Sequence, residues 1–247
     1  MNYVVFDTET TSLDKPFCYN VGYIIVSESN EVLVKRDFVV EQVWHNLPLF
    51  QSAYYADKRP LYVSRMKART TTMDKYGYIC QQMIRDFKAF EIEHAYAYNS
   101  AFDEKVFAYN CEWFKCANPF DNIAIHDIRG YVHEFLIDNE FIEWCEANGY
   151  FTESGNYSTT AETIYRFLYT SDFVEEHTAL ADSVIENEIL LATIDNGADY
   201  GKDYKVKRSI ERKVEKTLTV KSREGTSHSF KYEKIRINKD KTEISLK

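Results

Sequence analysis

The chain has 247 residues, 45% of them hydrophobic, with 19 Tyr and 16 Phe but only 8 Gly and 4 Pro; this excludes a disordered or fibrous protein and leaves one large domain, or a domain with an appendage. Its net charge of −9 is unevenly placed: residues 201–247 carry 15 Lys+Arg and 7 Asp+Glu, so an acidic body precedes a basic end. No apolar run approaches a membrane span and no signal peptide opens the sequence, so a cytoplasmic protein is expected.

Five cysteines, at 18, 80, 111, 116 and 145, form no C-x-x-C and are odd in number. That usage fits reduced thiols in a cytosolic protein better than a disulfide framework or a zinc site. The composition predicts a domain over 1–200 and a basic extension over 201–247. The extension is open to two readings, a nucleic-acid-binding element or a charged tail packed on the acidic body.

In chain order, residues 3–6, 20–26 and 32–40 read as three strands of a β-meander, with a polar turn at Glu28–Glu31. Residues 41–73 mix aromatics with Pro48, Pro60 and a basic patch at Arg65, Lys67 and Arg69, and read as short helices and loops. A lid or substrate-facing insertion and ordinary core packing are both open there. A helix over 74–91, with Asp74 as N-cap, precedes a strand at His94–Tyr98 and a helix at Ala101–Trp113. Ile123–Ile128 reads as a strand, and Arg129–Ala147 as one helix stopped by Asn148-Gly149. Thr159-x-x-Glu162 has the capping-box spacing before a helix at 161–169, and 179–194 forms another helix, closed by Asn196-Gly197. Beyond it, Val206, Ile210, Val214 and Leu218 recur as in a short basic helix, and Leu218–Lys221 and Phe230–Ile237 form a strand pair around residues 223–226. Strands followed by alternating helix and strand give an α/β sheet with helices packed on it.

Three short patterns carry chemistry. Val4–Phe6 leads into Asp7-Thr8-Glu9-Thr10-Thr11, where two carboxylates at i and i+2 on a strand share a face. Like charges held that close call for a cation, and paired carboxylates suit Mg²⁺ or Mn²⁺ better than zinc; a solvated surface pair is the alternative. Tyr98-Asn99-Ser100-Ala101-Phe102-Asp103 places Asp103 in a first helical turn, where helix capping alone would also favour it. His177-Thr178-Ala179-Leu180-Ala181-Asp182 places a His before a helix and an Asp in its first turns, a pattern that also occurs on plain surfaces.

In this order the three patterns resemble the DEDDh exonucleases, the DnaQ-like 3′→5′ exonuclease family of the ribonuclease H-like superfamily. The resemblance covers roughly residues 1–195. It implies a mixed five-stranded sheet, its first three strands antiparallel, flanked by helices. It implies that Asp7, Glu9, Asp103 and Asp182 bind two divalent metal ions, Mg²⁺ or Mn²⁺, with Asp7 bridging, and that His177 is the general base. Such a site hydrolyses phosphodiester bonds at single-stranded DNA or RNA 3′ ends and releases nucleoside 5′-monophosphates. Around the terminal nucleotide it implies Thr8, Thr10, Thr11, Leu13, Asn99 and Phe102, with Phe102 also a candidate for the core. Ser12 stands where the family often has Gly, and Tyr98 where many members have His; both bear on substrate geometry. A catalytically silent subunit that binds nucleic acid or partners a DNA polymerase is the alternative function.

Overall fold

The computed structural model describes residues 1–170, 172–207 and 210, together with the backbone of four strands beyond them. Strand β1 spans Tyr3–Thr10, β2 Cys18–Val26 and β3 Val32–Val40. Helices α1 (Glu41–Trp44), α2 (Leu47–Gln51) and α3 (Arg59–Ala68), with a 3₁₀ turn at Ala56–Lys58, lead to β4 (Thr72–Asp74). There follow α4 (Tyr76–Ala89), β5 (His94–Ala97), α5 (Ser100–Phe114), β6 (Ala124–Asp127), α6 (Ile128–Phe135), α7 (Asn139–Asn148), α8 (Ala161–Leu168) and α9 (Ala179–Asp195).

The six strands lie in the order β4-β3-β2-β1-β5-β6. β1, β2 and β3 pair antiparallel, whereas β5 runs parallel to β1 and β6 parallel to β5. This is the ribonuclease H-like mixed sheet, with β4 added parallel to the outer edge of β3. The expected count of five strands is thereby corrected to six. Only three residues long, β4 offers too little sequence to show a strand period.

β1 is central, and its first four residues are all buried, which is why they read as one unbroken apolar run. Alternate residues feed opposite cores. Val4 and Phe6 join the layer built from α4 and α5, where Phe6 meets the rings of Phe107 and Phe120. Tyr3 and Val5 join the layer beneath α6, α8 and α9, and Tyr3 packs edge-on against Tyr96. Trp44, Phe50 and Tyr62 of the 41–73 insertion are buried in the first core, so packing explains those aromatics.

Helix α9 crosses β2 at backbone contact distance. A Cβ at Gly22 would lie 2.1 Å from the Ala179 carbonyl carbon and the Leu180 nitrogen. The Ser183 hydroxyl bonds Gly22 O at 3.2 Å, and the Ala179 N–H donates to Asn20 Oδ1 at 2.9 Å.

The helix expected over Arg129–Ala147 is two helices. Asp138 caps α7 by accepting the Phe141 N–H at 3.0 Å, so a cap inside the apolar pattern divides it. Gly149 stops α7 in the left-handed conformation, as expected. The cap of α8 is Thr160, one residue later than the capping-box spacing gave, because the Thr159 hydroxyl is engaged by Arg129 and His133. Asp74 lies in β4, and Lys75 is the N-cap of α4. After α9, Asp203 bonds His126 at 2.7 Å and Tyr204 packs on Tyr131 and Phe135. The basic helix expected from Val206 to Leu218 falls mainly outside the described residues, although Leu218 itself lies in β7 (Lys216–Lys221). β7 pairs antiparallel with β8 (Ser227–Tyr232), as expected for its first residues, but the single partner strand expected over Phe230–Ile237 is divided between β8 and the next strand; the β7–β8 turn lies outside the described residues. β9 (Lys234–Asn238) pairs with β10 (Lys241–Ser245). Among the described residues no helix is long and apolar enough to cross a membrane.

Gly22→Ala should destabilise the protein by about 3 kcal/mol or more, since the methyl meets main chain that cannot move aside. Urea denaturation would measure this; a change below about 0.5 kcal/mol, the range of ordinary surface substitutions, would contradict the close approach of α9.

Candidate active site

The site lies where the end of β1 meets α5 and α9. Asp7 and Glu9 share a face of β1, as their i, i+2 spacing requires. Ligand oxygens of Asp7, Glu9 and Asp182 all lie within 4.8 Å of one another. Asp103, in the first turn of α5, accepts the Thr8 hydroxyl at 2.6 Å and is the foremost charge neighbour of Asp7. The four carboxylates singled out in the sequence therefore converge.

His177 adopts a left-handed backbone conformation (φ 53°) just before α9. Its Nδ1 lies 3.5 Å from Glu175 Oε2, and ligand atoms of Glu175, His177 and Asp182 fall within 4.8 Å of one another. The imidazole stacks on the Tyr55 ring with centroids 4.3 Å apart and planes 13° apart. Burial, followed by the neighbouring Lys58 ammonium, lowers its pKa below the usual imidazole range. The ring is thus neutral near pH 7 and has a lone pair for a proton.

The insertion 41–73 supplies a clamp on this motif. Arg65 of α3 donates to the Thr178 hydroxyl at 3.0 Å and pairs with Glu176, while the Lys58 ammonium donates to the Glu176 carbonyl. Packing and site-facing roles both apply to this segment: its large rings fill the core while Tyr55, Lys58 and Arg65 reach the His177 loop.

The other sequence candidates divide. Leu13 is 75% exposed and free to meet a ligand. Thr8 is buried and its hydroxyl is committed to Asp103, and Thr11 is buried as well. The Thr10 hydroxyl bonds Ser12 O at 3.3 Å, within the turn that Ser12 itself closes by accepting the Lys15 N–H. Asn99 is the left-handed residue that starts α5, its N–H bonded to Asp127 at 2.9 Å. Phe102 packs against the core.

Two further carboxyls were not singled out. Glu175 stands beside His177. Glu186 lies one turn after Asp182 on α9, is 3% exposed, and accepts the Tyr98 N–H at 3.2 Å. Its i+4 spacing from Asp182 was the available signal. Tyr55 and Lys58 gave no such signal, because more than a hundred residues separate them from the loop they meet.

Crowding raises these acids. Burial and then Asp7 push Glu9 up to about 9 and Asp182 up to about 10, while burial carries Asp103 and Glu175 up to about 7. Burial and then the Asp103 charge raise Asp7 well above the carboxylate range, and burial followed by Asp7 does the same to Glu186. One oxygen, Asp182 Oδ1, is buried with no hydrogen-bond partner. A hard divalent cation fits such a donor set: several oxygen ligands, surplus negative charge, and an unpaired buried acceptor. Because the folded state holds protons that the unfolded state has released, stability must fall as pH rises from about 4 through 7 and on toward 10. Melting temperature in EDTA should therefore be higher at pH 5 than at pH 8.5. A melting temperature that instead rises over this range in EDTA would show that the carboxyls do not crowd one another as described.

No family model matches the sequence, and neither does any curated protein. Solved structures do match. Exonuclease I of E. coli, crystallised with a dT13 oligonucleotide, aligns with a TM-score of 0.50 at 13% identity, over 79% of this chain and 41% of that one. The same enzyme with dA16 aligns at 0.44 and 14% identity, over 78% of this chain and 40% of that one. With a 5cy-dA13 oligonucleotide the values are 0.45 and 15%, over 78% and 40%. The chain thus spans about 41% of the length of the protein it matches in the dT13 complex, and at 13% identity the likeness is one of fold. That fold is the ribonuclease H-like sheet described above.

Proposed function

We propose that the chain is a divalent-metal-dependent 3′→5′ exonuclease of the DEDDh type, acting on single-stranded nucleic-acid ends and releasing nucleoside 5′-monophosphates. The observation that carries this reading is the convergence of Asp7, Glu9, Asp103 and Asp182 beside a neutral, half-buried His177, with one buried Asp182 oxygen unpaired. The dT13 oligonucleotide complex of the fold neighbour supports single-stranded DNA as the substrate class. The division of the chain at residue 200 belongs to the same reading, with the basic residues after 201 adding sequence-independent affinity for the backbone.

Asp7, Glu9, Asp103 and Asp182 would hold two Mg²⁺ or Mn²⁺ ions. When bound, such ions neutralise charge on the phosphate and make water a stronger nucleophile. The chain's own residues do the rest. His177 would take the proton of the attacking water as its oxygen bonds to phosphorus; the bond from phosphorus to the 3′ oxygen breaks, and that oxygen leaves on the shortened strand, taking a proton from solvent. Tyr55, stacked on the imidazole, and Glu175, beside Nδ1, fix the orientation of that ring. Thr8 holds Asp103 at the bottom of the site. Leu13 would offer an exposed apolar contact to the last base, and the Thr10–Ser12 turn beside it would offer main chain to a terminal 3′ hydroxyl.

A 5′-labelled single-stranded oligonucleotide incubated with Mg²⁺ or Mn²⁺ should give a stepwise ladder from the 3′ end. EDTA should abolish it, and a 3′-phosphate should block it. Asp7→Ala should lower the rate by at least roughly a hundredfold, since loss of mere supporting partners of a metal site costs about 10–100-fold. Equal degradation of the blocked end would reject the polarity. Metal-dependent binding without turnover would reject catalysis and leave a binding subunit. The same assay on RNA fixes the sugar preference.

A further inference from the structure

A second convergence of ligand-type side chains lies outside the carboxylate site and is independent of the nuclease reading. Cys80 on α4, Cys111 near the end of α5 and Cys116 just beyond it bring three sulfurs together within 4.8 Å of one another. Cys80 Sγ lies 4.0 Å from Cys111 Sγ and 3.9 Å from Cys116 Sγ. The chain reverses at Lys115, left-handed at φ 56°, and the Cys116 N–H bonds back to the Cys111 carbonyl at 3.1 Å. That cap delivers Cys116 to the other two. The first turn of α4 abuts it, since a Cβ at Gly77 would lie 3.5 Å from Cys116 Cβ.

These separations are those of a coordination sphere. Zinc–thiolate bonds of about 2.3 Å place sulfurs about 3.8 Å apart in a tetrahedral site and about 4.0 Å apart in a trigonal one. A second observation points the same way. The Tyr76 hydroxyl is buried without a nitrogen or oxygen partner, and the cluster thiols, together with Cys18, are its charge neighbours. A neutral thiol is a poor acceptor for that proton, whereas a coordinated thiolate is a good one. Cys80 is almost fully buried, but Cys116 is more open and gives an ion a way in.

We infer that Cys80, Cys111 and Cys116 form a three-thiolate site for a thiophilic divalent cation of the zinc class, with the Tyr76 hydroxyl donating to the bound sulfurs. Binding releases the three thiol protons to solvent, and the ion ties α4 to the end of α5. Soft ligands distinguish this site from the all-oxygen carboxylate site, so each selects a different metal.

Co²⁺ is the probe, used on the full chain with its thiols reduced. Titration should produce a near-ultraviolet sulfur-to-cobalt charge-transfer band that saturates at about one equivalent and disappears on addition of Zn²⁺. Cys80→Ser should remove the band, and Cys116→Ser should remove it or weaken binding at least tenfold. Asp7→Ala should leave it intact, because carboxylate-bound cobalt gives no such band. Cys116→Ser changes the more open sulfur and serves as the second variant should Cys80→Ser fail to fold. Absence of the band in the reduced native chain would overturn the inference and leave three thiols that merely fill the core. A band that survives Cys116→Ser unchanged would equally overturn it.

Discussion

One buried amide holds the sheet to the helix that completes the site. Asn20, fully buried on β2, uses both ends of its side chain. Its oxygen accepts the Ala179 N–H at 2.9 Å and the Tyr62 hydroxyl at 2.9 Å, and its nitrogen donates to Asp37 at 2.7 Å and to Phe38 O at 2.9 Å. A buried amide whose partners are all present contributes order; one left half-paired costs about 1–3 kcal/mol. Because the first N–H of α9 is among those partners, Asn20 fixes where α9 begins. Gly22, two residues on and facing the same side, lets the helix come within backbone contact of β2. The position of Asp182 in front of Asp7 and Glu9 follows from these two residues.

The convergence that results is electrostatically costly. Asp7, Glu9, Asp103, Glu175, Asp182 and Glu186 share a partly buried volume in which the Lys58 ammonium is the recurrent neighbouring cation. Each carboxyl raises the proton affinity of the others, and burial adds to it. Without a cation among them these carboxyls therefore keep protons that free carboxylates would have released, and a divalent ion bound there would displace those protons. Under the proposed function the acidic body would act the same way, repelling a phosphate unless cations intervened.

The insertion between β3 and α4 works on two levels. Its large rings complete the core beneath the sheet, and Arg59 lies 3.9 Å over the Trp44 ring. Its polar side chains meanwhile restrain the loop that carries His177. Arg65 stands between Asp37, 3.9 Å away on β3, and the Thr178–Glu176 pair, so the sheet edge, the insertion and the loop are joined through one guanidinium. A planar, multidentate cation suits that role better than an ammonium would.

Much of this was legible along the chain. The strand ending in Asp7-Thr8-Glu9, the first-turn position of Asp103 and the His177–Asp182 spacing are local: a strand alternates with period two, a helix turns every 3.6 residues, and the sequence sets both. Boundaries followed the same logic except where a cap was hidden in an apolar pattern, as at Asp138, where the capping threonine was the second of a pair, as at Thr160, where a strand was too short to show its period, as at β4, or where one expected strand was two, as at β8 and β9. Tertiary structure alone decided what depends on distance. Tyr55 meets His177, Arg65 meets Thr178 and Cys80 meets Cys111 and Cys116 across segments with no fixed spacing between them. It also settled that Thr8 turns inward to hold Asp103 and that Glu186 is buried. Local sequence determines which residues share a face; which faces meet is decided by packing of the whole chain, and there Asn20 and Gly22 set the answer.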